Sequence, residues 1–136
     1  MKGMSNKIES IKKYFQLLQW FNTDTNEYKA VFHMGIEQLE YPNLIIPNMR
    51  QRSFTNILEG TAAAKKILAF QHFEPVHFFE SGDHMIAEYV WTAELKLKVG
   101  RMKQGQVLKA HICSVFEFRD EKIYRQRNYD CYDPVD

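Results

Sequence analysis

Residues 107–131 read VLKAHICSVFEFRDEKIYRQRNYDC, and this stretch decides the fold. From Val107 to Phe118, Ala110, Ile112, Ser114, Phe116 and Phe118 fall on one face, with His111, Cys113, Val115 and Glu117 on the other. That two-residue period is the signature of a half-buried strand. Arg119-Asp120-Glu121-Lys122 is a turn signal, and Ile123 to Cys131 is the strand that follows it. Upstream, Gly100 and Gly105 bracket a basic loop, and Met85 to about Lys98 reads as a long strand with Ala87, Tyr89, Trp91 and Ala93 on one face. Ser81-Gly82-Asp83 is a tight turn after a strand from Val76 to Glu80. The half from Pro75 onward is therefore an antiparallel meander.

The half before it has a helical period. Ile8, Ile11, Phe15 and Leu18 recur at steps of three and four, and Tyr14, Leu17 and Phe21 widen the stripe, which predicts an amphipathic helix over residues 7–21. Asn6 and Glu9 have capping-box spacing at its start, and Asp24 and Glu27 repeat the signal for a short second helix carrying Tyr28, Val31 and Phe32. That helix is expected to end near Gly35, with His33 as a favourable cation at its C-terminus. Ile36 to Tyr41 is strand-like and stops at Pro42. Gly60-Thr61 is expected to interrupt a third helical region, with Ala62 to Ala69 as its better half. Helices first and a meander after them predict an α+β domain whose curved sheet is covered by helices.

Composition narrows the function classes. The chain has 136 residues, 45% of them hydrophobic, with 18 Lys+Arg against 17 Asp+Glu. That length and composition suit one folded domain over 1–136 rather than a disordered chain. A net charge of +1 gives no general attraction to phosphate backbones or anionic lipid, so neither nucleic acid nor membrane is expected as a partner. No apolar run approaches the roughly 20 residues that span a bilayer, and Met1 to Ser5 shows no apolar leader core, so a cytoplasmic location is expected. Cys113 and Cys131 lack metal-site or disulfide-framework spacing, and His33, His72, His77, His84 and His111 lack the spacing of a ligand pair. No metal and no cofactor are expected.

The element order, together with Tyr41-Pro42-Asn43, Val115-Phe116-Glu117-Phe118-Arg119-Asp120, Lys122-Ile123 and Arg127-Asn128-Tyr129-Asp130, resembles the SnoaL-like branch of the nuclear transport factor 2-like superfamily over essentially the whole chain. Glu121 stands where that branch usually carries glycine. The resemblance implies a cone-shaped α+β barrel, a strongly curved antiparallel sheet wrapped around three N-terminal helices. Its mouth would open on an apolar pocket with a few polar groups. Ketosteroid isomerases of this fold use a helix-borne tyrosine and a protonated aspartic acid as an oxyanion hole, with an aspartate base at the end of the first strand. The likeness puts Gln16 at the tyrosine position, Ser114 at the protonated acid and Glu40 or Tyr41 at the base, so two of three groups are replaced. SnoaL-type polyketide cyclases carry an acidic general acid/base in the last strand, and Asp130 matches it.

Alternation in the last strand puts Gln126, Asn128 and Asp130 on one face and Arg125, Arg127 and Tyr129 on the other. If the first face looks into the cone, it forms a convergent polar patch in an apolar cavity, and burial would raise the Asp130 pKa toward proton transfer near neutrality. The structural alternative is an Asp130 paired to arginine or capping a loop. In the first strand, Ile36 inward would take Gln38 and Glu40 with it, whereas Leu39 inward would take Tyr41; the likeness at Pro42 favours Tyr41. Tyr41, Tyr89, Trp91 and Phe116 are the expected apolar wall, and His111 is read as a sheet-to-sheet or dimer-contact residue on the opposite face, with a proton-transfer role as the alternative if a bulge reverses that face. The function that follows is a homodimer binding a small, largely apolar molecule, with Asp130 as the catalytic residue of isomerase, cyclase or dehydratase chemistry. The competing reading is a non-catalytic ligand-binding or protein-interaction module.

Overall fold

The computed structural model describes the backbone of residues 2–135 and the side-chain surroundings of residues 6–135. The leader reading of Met1 to Ser5 therefore concerns side chains outside the described residues. Helix α1 spans Lys2–Gln19 and buries Ile11, Tyr14, Phe15 and Leu17, the stripe that its period demands. It begins before Asn6, because the capping spacing there is overridden by residues that continue the helix. It ends in a Schellman-type turn: Asn22 N–H donates to Leu17 O and Phe21 N–H to Leu18 O, with Phe21 at φ 52°. Asp24 then caps α2 (Thr25–Lys29) by accepting from Asn26 N–H at 2.8 Å.

Helix α2 is shorter than its pattern predicts. Val31 and Phe32 are taken by the sheet: Ile123 N–H donates to Val31 O at 2.9 Å, and strand β1 (Phe32–Glu40) starts where the helix was expected to run on. His33 accordingly sits in a strand, accepting from Gly35 N–H at 2.9 Å, and not at a helix end. Strand β2 (Arg50–Arg52) leads into α3 (Phe54–Ile67), which Ser53 and Asn56 open with a capping box. The break expected at Gly60-Thr61 does not occur. Thr61 donates to Ile57 O at 3.0 Å and lies against the Tyr28 hydroxyl, so burial between helix and core holds the helix continuous.

Strands β3 (Leu68–Ser81), β4 (His84–Leu95), β5 (Val107–Arg119) and β6 (Lys122–Tyr132) complete a sheet of order β2-β1-β6-β5-β4-β3. β3 begins at Leu68, well before the expected Val76, because its first half pairs with the outer half of β4, Gln71 facing Ala93 and Phe73 facing Trp91. Two expectations about the sheet are corrected. It is mixed, since β1 runs parallel to β6 with Gln38 opposite Gln126 and Glu40 opposite Asn128. It is also not closed into a barrel, because β2 and β3 remain unpaired edges and α1 and α3 cover the concave side instead. The architecture is an α+β cone, with α3 following the first two strands rather than preceding the sheet.

The β5–β6 hairpin is tight despite its sequence. Asp120 and Glu121 adopt φ 53° and 63°, the left-handed pair that a two-residue turn requires and that glycine accepts without steric cost. Most apolar inward residues meet in one core, in which Tyr14 packs edge-on to Phe32 and Phe116 and Phe15 stacks on Phe73, while Leu68, Ala93, Leu95 and Leu108 form a second, smaller cluster. Among the described residues no helix is long and apolar enough to cross a membrane.

Candidate functional site

Between α1, α3 and the concave sheet lies a cavity of about 410 Å³. Helix α3 lines it with Ile57, Gly60, Thr61, Ala63, Ala64 and Ile67, and the small residues in the middle of that face leave room for the cavity. One end is apolar, bounded by Leu68, Trp91, Leu95, Val99, Met102 and Leu108. The other end is polar, with Gln38, Glu40, Arg50 and Arg52 from β1 and β2 facing residues of β6. Asn128, Asp130 and Tyr132 are alternate residues of that strand and all line the cavity, as the two-residue period requires.

The polar end is built on a buried network. Gln38 Nε2 donates to the Tyr14 hydroxyl and to Gln126 Oε1, each at 3.1 Å. Gln126 Nε2 and Ser114 Oγ both donate to Asn128 Oδ1, at 2.9 and 2.6 Å, and the Tyr89 hydroxyl lies 2.7 Å from Ser114 Oγ. Glu40 also lines the cavity and is ion-paired with Arg52 at 2.9 Å. Asp130 differs from all of these. Among the described residues its Oδ1 is the one buried side-chain polar atom with no hydrogen-bond partner.

Electrostatics follow from that placement. Burial, and then the nearby Glu40 charge, push the Asp130 carboxyl up to about 6, with Arg52 opposing the shift. Tyr14 is pushed up to about 12 by burial, against the hydrogen bonds of Gln126 and Gln38, so it keeps its proton throughout the neutral range. Burial also raises Tyr89 and Tyr132, and the Asp130 and Glu40 charges raise both further. The arrangement thus sets a carboxyl that titrates near neutrality beside tyrosines that do not.

A profile of the SnoaL-like domain matches residues 11–126. The chain belongs to the SnoaL-like family. No curated protein matches it by sequence. Among solved structures, IdmH of Streptomyces antibioticus, a candidate polyketide cyclase, superposes with a TM-score of 0.74 at 11% identity, covering 91% of each chain. A candidate SnoaL-like polyketide cyclase from Jannaschia sp. CCS1 gives 0.73 at 11% identity, over 93% of this chain and 85% of its own. A protein of ketosteroid isomerase-like fold from Catenulispora acidiphila, solved with trimethylamine, gives 0.69 at 15% identity, over 89% and 84%. At these identities the likeness is one of fold.

Within this SnoaL-like cone the expected site residues divide. Asp130, Asn128, Tyr89 and Trp91 line the cavity, and Gln126 and Ser114 lie directly behind Asn128 in its network. Three expectations are corrected. Gln16 is exposed on the outer side of α1, and the helix-borne tyrosine is Tyr14, two residues earlier and thus on the opposite side of the helix. Tyr41 points away and stacks on Tyr129 at 4.8 Å, because Ile36, Gln38 and Glu40 are the inward set of β1. Phe116 is fully buried against Tyr14 and fills core rather than cavity wall. His111 lies exposed on the outer face, 3.0 Å from Asp133. Tyr14, Gln38, Arg52 and the α3 face were missed. The signal for Tyr14 and Gln38 was present, as a helix-stripe position and as the Ile36-inward alternative.

Proposed function

We propose that the cavity binds a small, largely apolar molecule carrying an oxygen function and that Asp130 moves a proton on it. The observation that carries this reading is the partnerless, buried Asp130 Oδ1 at the cavity wall. A carboxylate is an acceptor that ordinarily finds donors, and leaving one without them is costly unless another molecule completes it. Above pH 6 the ionised Asp130 serves as a base toward a C–H next to a carbonyl; the Tyr14 O–H and Asn128 N–H₂ donate to the oxygen on which charge develops. Return of the proton to a different atom is isomerisation, attack of the enolate carbon on a second carbonyl is cyclisation, and loss of a β-hydroxyl as water is dehydration. The likeness of fold to candidate polyketide cyclases supports assaying cyclisation first.

The non-catalytic reading draws on replacement of two isomerase groups, and the cavity-lining Tyr14 supplies one of them, a helix-borne tyrosine, while Ser114 still replaces the other. Native mass spectrometry and a thermal-shift screen of cyclic ketones, polyketide fragments, terpenoids and fatty acids supply the ligand, since a ligand raises the melting temperature by mass action. With a turned-over compound in hand, Asp130→Asn is expected to bind it and lose turnover, and the wild-type kcat/KM to rise with pH through an inflection near 6. Unchanged turnover in Asp130→Asn would place the chemistry on another residue.

A further inference from the structure

Outside the cavity, charge is distributed unevenly over the surface. The stretch from Leu95 to Phe116 holds Lys96, Lys98, Arg101, Lys103 and Lys109 and no acid, and Lys65-Lys66 stand in the last turn of α3. The fold brings these segments to one end of the molecule. Lys96 N–H donates to Ile67 O at 2.7 Å and Leu68 pairs with Leu95, so the end of α3 meets the loop between β4 and β5. The end of α1 joins them, because Phe21 packs on the cluster of Leu68, Ala93, Leu95 and Leu108. All seven cations are exposed, and none of them is ion-paired among the described residues. Of the acids beside them, Glu94 faces Phe70 and Val107 across the strands and Asp133 holds His111. These seven are part of the chain's 18 Lys+Arg, which leaves 11 against 17 Asp+Glu elsewhere, so the net charge of +1 conceals a polar distribution.

Large apolar side chains stand exposed among these cations. Trp20, the residue before Phe21, is 69% exposed, and Ile67, Leu97 and Val107 are exposed as well. The loop itself is two-sided. Val99 and Met102 pair through both backbone hydrogen bonds around Gly100, at φ 57°, and line the apolar end of the cavity, while Lys98, Arg101 and Lys103 beside them face solvent. Cations interleaved with aliphatic side chains and a tryptophan fit an anionic bilayer, whose headgroups attract the cations and whose acyl boundary takes up the apolar groups. A nucleic acid would satisfy the cations equally well, but its phosphate backbone gives Ile67, Leu97 and Val107 nothing in return.

We propose that this end of the molecule docks on an anionic lipid bilayer, with the lysines and Arg101 on the headgroups and Trp20, Ile67 and Leu97 inserted at their level. Docking sets the wall of the cavity's apolar end, formed in part by Ile67, Val99 and Met102, beside the lipid. The proposal concerns the outer surface and is independent of the chemistry assigned to Asp130.

Vesicle sedimentation with the full chain tests it. Vesicles of phosphatidylcholine with about 30% phosphatidylserine should carry the protein down at about 0.1 M salt and release it at about 0.5 M, and vesicles of phosphatidylcholine alone should leave it in solution. Replacing Lys96, Lys98, Arg101 and Lys103 together by Gln should weaken binding about a hundredfold or more. Replacing Lys12, Lys29, Arg119 and Lys122 together by Gln removes the same charge elsewhere and should weaken it about threefold or less. Unchanged melting temperatures in both variants confirm that these exposed substitutions leave the fold intact. Tryptophan emission should shift to the blue on the anionic vesicles in wild type and not in Trp20→Phe. Failure of wild type to bind anionic vesicles, equal binding to the neutral ones, or equal losses in the two quadruple variants overturns the proposal. Tighter binding to a DNA duplex than to anionic vesicles at the same salt also overturns it and assigns the surface to nucleic acid. Emission that stays unmoved on bound vesicles overturns the insertion of Trp20.

Discussion

The two ends of the cavity are made by the same rule and do opposite things to stability. At the apolar end, inward positions of β3, β4 and β5 are Leu68, Ala93, Leu95 and Leu108, all buried, with Trp91, Val99 and Met102 packed against them. At the polar end, inward positions of β1 and β6 are Gln38, Glu40, Gln126, Asn128 and Asp130. The period of two is identical, and only the residue types differ. Apolar burial contributes free energy in proportion to area, whereas a buried carboxylate without donors subtracts it. A protein selected for stability alone would carry the first chemistry at both ends, so the second marks the end where something else is gained.

That contrast is most directly broken by mutation. Leu95 is 2% exposed, and Leu95→Ala is expected to destabilise the fold by ~2–4 kcal/mol, read as a lower urea midpoint with an unchanged slope. A loss below ~1 kcal/mol would mean that the apolar end is loosely filled and is not core. Asp130→Asn is expected to do the reverse and stabilise by ~1–3 kcal/mol at pH 7.5. The sign follows from the raised native pKa of about 6 against 3.8 unfolded: the native state binds the extra proton between those values. Wild-type stability therefore falls as pH rises from about 4 through 6, and the advantage of Asp130→Asn should vanish below pH 4. Destabilisation at pH 7.5 would show that Asp130 is paired, and an advantage independent of pH would show that the gain does not come from its titration.

Tyr14→Phe sharpens the comparison at smaller scale. It keeps the ring in its packing against Phe32 and Phe116 but removes the acceptor for one Gln38 hydrogen. The expected cost is ~1 kcal/mol in the same urea titration, and a cost near zero would mean that Gln38 finds water in the cavity.

How much of this was legible from residues alone depended on what decided each feature. The meander was legible, because alternation over Val107 to Cys131 constrains both faces at once, and it placed Gln126, Asn128 and Asp130 together as the structure does. The α1 stripe was legible for the same reason, yet Gln16 was placed inward in spite of it, since a borrowed position outweighed the period that already contained Tyr14. The orientation of β1 was not legible. Ile36, Gln38 and Glu40 against Leu39 and Tyr41 is a choice between two half-polar faces, and it is settled by the parallel register with β6 and by Arg52, both tertiary facts. The start of β3 and the early end of α2 failed alike, because long-range pairing overrode local helix signals at Leu68 and Val31.

The smallest effect separates a cost tied to the site from a cost that is merely local. β6 carries both: Asp130 near one end, and at the other the turn in which Asp120 and Glu121 take positive φ without being glycine. Left-handed backbone costs an L-residue about 1–2 kcal/mol, and a glycine recovers part of that while giving up chain entropy in the unfolded state. Glu121→Gly should therefore stabilise by ~0.5–1 kcal/mol, by the same amount at pH 4 and pH 7.5, with ligand affinity unchanged. The pH response distinguishes the two ends of the strand, since only a titrating group can make its cost depend on protons. If Glu121→Gly instead weakened binding or acquired the pH profile of Asp130→Asn, strain at the hairpin would be transmitted along β6 to the cavity, and the two ends of that strand would have to be treated as one element.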